Sequence, residues 1–123
     1  MKQVLLVFVG GGVGSVLRYL VGKFLKTSDS GFPWGTFSVN ILGSLLIGIL
    51  MGVALKNSSF SENQTLLLVT GFCGGFTTFS AFAYENQVFL KEGDFTNFLI
   101  YTLGSISLGL VAVFLGLFIS KNF

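Results

Sequence analysis

Histidine is absent from this chain, cysteine and proline occur once each, and charge is scarce, with seven basic and five acidic side chains in 123 residues. The lone Cys73 lies inside an apolar run. These absences exclude a disulfide framework, a His/Cys zinc set and histidine-based catalysis. No nucleophile–base pair or metal-ligand set is visible, so the chain is expected not to be an enzyme. A soluble domain usually carries charge on about a quarter of its residues. Here the fraction is 10%, while 52% of residues are hydrophobic and mean hydropathy is +0.84. A net charge of +2 is too small to suggest nucleic acid as a partner.

What the chain has instead is long apolar runs, with most charges marking their ends. They fall at about 4–25, 32–55, 66–90 and 98–120, within a single domain covering 1–123. The second and fourth runs hold no charge; the first contains Arg18 and the third Glu85. A hydrocarbon core of about 30 Å needs roughly 20 helical residues to cross it, and each run is long enough. Lipid offers the backbone no hydrogen-bond partners, and strand-length alternation is missing, so an all-α membrane protein with four transmembrane helices is expected. The connections are short: Lys26–Gly31, Lys56–Thr65 and Lys91–Asn97. The first run is read as a membrane helix rather than a cleaved leader, because it is long and no A-x-A-like site follows it. Trp34, Tyr19 and Phe32 near helix ends suit the headgroup region.

Four crossings place both termini and the second loop on one side. That side carries Lys2, Lys56 and Lys121, against Lys23, Lys26 and Lys91 on the other. Lys/Arg bias in short loops sets orientation. Its near absence leaves two readings: a fixed topology with uninformative loops, or insertion both ways and pairing as an antiparallel dimer.

Gly10 and Gly14, Gly48 and Gly52, and Gly71 and Gly75 form small-xxx-small pairs, the pattern of close helix packing in lipid. The cluster Gly10–Ser15 fails the dinucleotide-binding spacing, and no strand precedes it. Arg18, in the second half of the first run, either snorkels to the headgroups, draws anions to a vestibule or anchors backbone carbonyls. Thr36, Asn40 and Ser44 stand four apart and form a polar stripe on one helical face. Asn40 serves either a helix–helix hydrogen bond or a conduction path. The third run carries Gly71-Phe72-Cys73-Gly74-Gly75-Phe76-Thr77-Thr78-Phe79-Ser80-Ala81-Phe82. Paired glycines and threonines make poor helix interior, so a mid-membrane break is expected there. Carbonyls freed by such a break suit a small hard cation such as sodium. Phe79 and Phe82 lie on one face with Ser80 beside them; ring edges are electropositive and can line an anion route, although such a pair is ordinarily packing. Tyr101 and Ser105 put two hydroxyls on one face of the fourth helix. Glu85 is read as an interfacial carboxylate or as a gate or proton-linked group.

Together these segments resemble the Fluc (CrcB-like) family of fluoride channels. Gly10–Tyr19 is similar to the family's first-helix glycine motif ending in Arg-Tyr, and Gly35–Gly43 to its G-T-x-x-x-N-x-x-G segment. Gly71–Phe82 is similar to its G-x-x-G-G-x-T-T-F-S-x-F signature, the most specific of the three. The resemblance implies an antiparallel homodimer in the cytoplasmic membrane that exports fluoride passively. It implies a structural sodium ion at the dimer centre on the carbonyls of Gly74 and Thr77, and a fluoride pathway of Asn40, Phe79, Phe82, Ser80 and Tyr101. Arg18 and Glu85 are vestibule or gate candidates. Ala81 and Gly109 stand where some members carry hydroxyls. The competing reading is a dual-topology multidrug exporter of the four-helix kind, but that chemistry needs a deep carboxylate and the first helix carries Arg18 instead. A third reading, an accessory membrane subunit without transport, explains the glycines but not the Asn40 stripe.

Overall fold

The computed structural model describes residues 1–26, 31–56 and 60–122. The expected connections Lys26–Gly31 and Lys56–Thr65 therefore fall partly outside the described residues. Helix α1 spans Lys2–Phe24 and α2 spans Trp34–Lys56. A third span begins as α3 (Glu62–Thr65), continues as a π-helical stretch (Leu66–Cys73) and ends in α4 (Gly74–Phe76). After two extended residues the chain resumes as α5 (Phe79–Lys91), and α6 covers Phe95–Ser120. No strand occurs among the described residues. Four segments, Lys2–Phe24, Trp34–Lys56, Glu62–Lys91 and Phe95–Ser120, are long and apolar enough to cross a membrane, with mean hydropathies between 1.6 and 2.2.

The helix starts follow from local chemistry. Pro33 lies immediately before α2, where its missing N–H is no loss, and its carbonyl accepts from Phe37 at 3.0 Å. Ser61 and Gln64 cap α3 reciprocally: the Gln64 N–H donates to Ser61 Oγ at 3.1 Å, and the Ser61 N–H to Gln64 Oε1 at 2.8 Å. Asp94 caps α6 by accepting from the Asn97 N–H at 3.2 Å. The preceding turn needs Gly93 at φ +73°, a conformation that costs a residue with a Cβ.

Helix α1 lies along the third span and α2 along α6. Glycine permits both approaches. A Cβ on Gly10 or Gly14 would overlap the carbonyls of Leu67 and Phe72, and one on Gly48 or Gly116 those of Val113 and Leu45. The buried core is small. Val39 and Tyr101 are fully covered, while Phe8, Phe114 and Phe118 stand outward. Large apolar side chains on the outside and glycine at the seams suit a hydrocarbon surround rather than water.

Candidate functional site

Thr77 and Thr78 interrupt the third span. Their backbone angles are extended, φ −91° and ψ 161° for Thr77, φ −153° and ψ 123° for Thr78. Peptide groups here lose their α-helical partners, and side chains from α1, from α2 and from Thr78 itself take their place. Asn40, in the first third of α2, accepts from the Thr78 N–H through Oδ1 at 2.8 Å and donates through Nδ2 to the Thr78 carbonyl at 3.0 Å. From α1, Arg18 Nε donates to the Gly75 carbonyl at 3.0 Å, and Ser15 Oγ lies 3.5 Å from the same oxygen. Within the span, Thr78 Oγ1 accepts from the Ala81 N–H at 3.2 Å and caps α5, with Ser80 Oγ at 3.3 Å.

This rearrangement bears on which main-chain oxygens could hold a cation. In an unbroken helix the Gly74 carbonyl would accept from the Thr78 N–H and the Thr77 carbonyl from the Ala81 N–H. Both donors are engaged elsewhere, by Asn40 and by the Thr78 hydroxyl. Gly74 and Thr77 thus offer hard oxygens fit for a hard cation. No group of three or more His, Cys, Asp or Glu that could bind a metal occurs among the described residues.

Asn40, Gly74, Thr77, Thr78, Phe79 and Phe82 line one cleft of about 540 Å³, with Ser44, Thr70 and Ser105. The rings of Phe79 and Phe82 are 5.9 Å apart between centroids, and Phe79 is 78% exposed on the single chain. Ser44 donates its hydroxyl to the Asn40 carbonyl at 2.7 Å, so the polar stripe on α2 is continuous.

Two expected pathway residues lie off this cleft. Ser80 is exposed beside Thr78 and does not line it. Tyr101 is wholly buried, its ring 4.9 Å from Phe82, and its hydroxyl donates to Glu85 Oε1 at 2.7 Å. Thr36 donates to the other carboxylate oxygen at 2.8 Å. Glu85 is therefore the acceptor of a three-residue cluster that joins α2, α5 and α6. Ser105, one turn beyond Tyr101, does line the cleft, and its Oγ has no partner among the described residues. Its four-residue spacing from Tyr101 was the available signal. A second cleft, of about 450 Å³, is lined by Arg18, Lys23 and Lys26 with Tyr19, Thr36 and Thr78. It brings three cations to the side of α1 that faces the Thr78 interval.

Residues 5–117 match the family described as CrcB-like protein, Camphor Resistance (CrcB). A protein of Gloeothece citriformis named fluoride-specific ion channel FluC is 46% identical over 126 residues, 99% of each chain. The FluC of Phocaeicola vulgatus is 45% identical, over 98% of this chain and 100% of its own. That of Chlorobaculum tepidum is 47% identical, over 98% and 96%.

Proposed function

Because the chain belongs to the CrcB-like family, we propose that it is a fluoride channel, a multi-pass membrane protein that lets the anion leave the cytoplasm passively. The observation that carries the reading is the cleft where Asn40, Phe79, Phe82 and Ser105 meet beside the Thr77–Thr78 interval. Fluoride is small and strongly hydrated, so a pathway must replace water with several donors yet not hold the ion too tightly. One Asn40 amide proton goes to the Thr78 carbonyl, which leaves the second for the ion. The Phe79 and Phe82 ring edges and the Ser105 hydroxyl add weak donors without a fixed charge. Tyr101 acts through its contact with Phe82 and its bond to Glu85, and Ser80 at the mouth beside Thr78. Arg18, Lys23 and Lys26 raise the local anion concentration in the second cleft.

The working unit in this reading is an antiparallel dimer in the cytoplasmic membrane, and the Thr77–Thr78 interval is its mid-membrane break. Thr70, Gly74 and Ser80 are exposed on a span that would otherwise face lipid, which satisfies no polar group. A second copy would cover them. The even lysine distribution supports insertion in both orientations. A sodium ion at the dimer centre, on the Gly74 and Thr77 carbonyls of both copies, would neutralise oxygens that have lost their helical donors. Its contribution is structural.

The test is fluoride efflux from liposomes holding the purified protein, with chloride as the control. Rapid fluoride release with chloride retained is the expected result. Release no faster than from protein-free vesicles overturns the proposal, and transport of a cationic drug instead assigns the chain to the exporter reading.

A further inference from the structure

Arg18 carries two duties in the geometry, and only one of them concerns the anion. It lies on the same face of α1 as Gly14, one turn earlier, and as Ser15, three residues earlier. Gly11, Gly14 and Gly75 bring the α1 backbone against the end of α4; a Cβ on Gly75 would lie 2.9 Å from the Gly11 Cα. At that separation both Arg18 Nε and Ser15 Oγ reach one oxygen, the Gly75 carbonyl.

The Gly75 carbonyl stands immediately after that of Gly74 in the chain and has lost its own helical donor, because Phe79 begins the next helix. Left free, it would be one more unsatisfied hard oxygen next in the chain to that of Gly74. An oxygen that accepts from a guanidinium is instead withdrawn from cation binding, since a fixed positive charge stands against it. On the α2 side Asn40 withdraws the Thr78 carbonyl in the same way. Of the peptide oxygens from 74 to 78, then, side chains of α1 and α2 take two.

We infer that Arg18, assisted by Ser15, is a positioning residue that selects and orients the main-chain oxygens of the cation site at Gly74 and Thr77. The inference rests on the cation reading proposed above. It makes the cation affinity of the assembly depend on a side chain that never touches the ion. Partners that orient metal ligands typically change affinity by 10–100-fold when removed.

The experiment measures thermal unfolding of the purified full chain as sodium chloride replaces N-methyl-D-glucamine chloride at constant ionic strength. A cation bound only by the folded assembly raises the melting temperature as the logarithm of its concentration once that exceeds the dissociation constant, so the onset concentration reports affinity. Arg18→Met is expected to raise the sodium concentration at which stabilisation sets in roughly tenfold or more. Ser15→Ala should raise it less. Arg18→Lys should fall between wild type and Arg18→Met, because an ammonium keeps the charge but not the geometry of the guanidinium fork. Val16→Ala, on the opposite, 58% exposed face, should leave the onset unchanged.

Unchanged onset concentrations in Arg18→Met and Ser15→Ala overturn the inference while the cation site stands. Should Arg18→Met not fold, unchanged onset concentrations in Arg18→Lys and Ser15→Ala do the same. A wild-type protein whose melting ignores sodium overturns the cation reading and this inference with it, leaving fluoride conduction to its own test.

Discussion

At the residue scale, the question is whether the cleft's side chains act on an ion or only fill space. Phe79 and Phe82 answer it best, because isoleucine fills similar volume without an electropositive edge. The edge of a ring against the face of another is worth about 0.5–1.5 kcal/mol; taken as the scale for an edge against an anion, the upper end corresponds to about a tenfold change in rate. Phe79→Ile and Phe82→Ile should each cut fluoride efflux from liposomes by about two- to tenfold while the protein still assembles. Phe118→Ile, at a site 63% exposed and away from the cleft, should change little. Wild-type rates in both cleft variants would return the rings to packing. Asn40→Asp probes the neighbouring donor. An aspartate can still accept from the Thr78 N–H but cannot donate to the Thr78 carbonyl, 3.0 Å away, and its charge opposes an anion. Efflux should vanish and stability fall by about 1–3 kcal/mol, the cost of an unsatisfied buried partner. The polar stripe of Thr36, Asn40 and Ser44 could be read from spacing alone, whereas the partners of its members could not. Asn40 meets Thr78 across 38 positions, and Thr36 meets Glu85 across 49, so only the packing of α2 on α5 identifies them.

At the element scale, close approach through glycine decides which helices pair. Gly14 and Gly12 sit on the same helix and separate propensity from packing. A Cβ at Gly14 would overlap the Phe72 carbonyl and lie 2.8 Å from the Phe76 nitrogen; at Gly12 it would meet nothing within 4 Å. Backbone atoms cannot swing aside, so Gly14→Ala should destabilise by about 1–3 kcal/mol, as overpacking does. Gly12→Ala should be neutral or gain up to about 1 kcal/mol from helix propensity. Thermal melting of the two proteins side by side checks the order, and equal damage at both positions would show that a further surface covers Gly12. The four spans were legible because long apolar runs and the charges between them are one-dimensional signals. Their starts were less so. The third span begins at Glu62 rather than near Leu66, and α6 at Phe95 rather than Phe98, because Ser61 and Asp94 cap polar first turns that hydropathy passes over. The Ser61-x-x-Gln64 spacing was a usable signal. The π-helical stretch Leu66–Cys73 left none, since its composition is that of any apolar helix.

At the scale of the whole molecule, charge placement bears on how copies enter the membrane. An even number of crossings puts Lys2, Lys56 and Lys121 on one side, and Lys23, Lys26 and Lys91 on the other. Arg18 does not tip the balance as a loop charge, for its Nε is held by the Gly75 carbonyl inside the span. Orientation responds to Lys/Arg bias in short loops, with each basic residue near an anionic membrane surface worth about 1 kcal/mol. Three against three leaves almost no bias, so reporters fused to the C-terminus should be found on both sides of the membrane in comparable amounts. Two lysines added to the second loop, beside Lys56, should drive that side to the cytoplasm and make the population uniform. If the antiparallel pair is the conducting unit, this uniform population should lose most fluoride efflux. Co-expression with a copy carrying two extra lysines in the first loop, beside Lys26, should restore it, because the two biased populations supply opposite orientations. A wild-type population with every C-terminus on one side would refute dual insertion. A biased protein that conducts fully by itself would refute the antiparallel pair even if wild-type insertion proved mixed, since a channel assembled from parallel copies has no need of the second orientation.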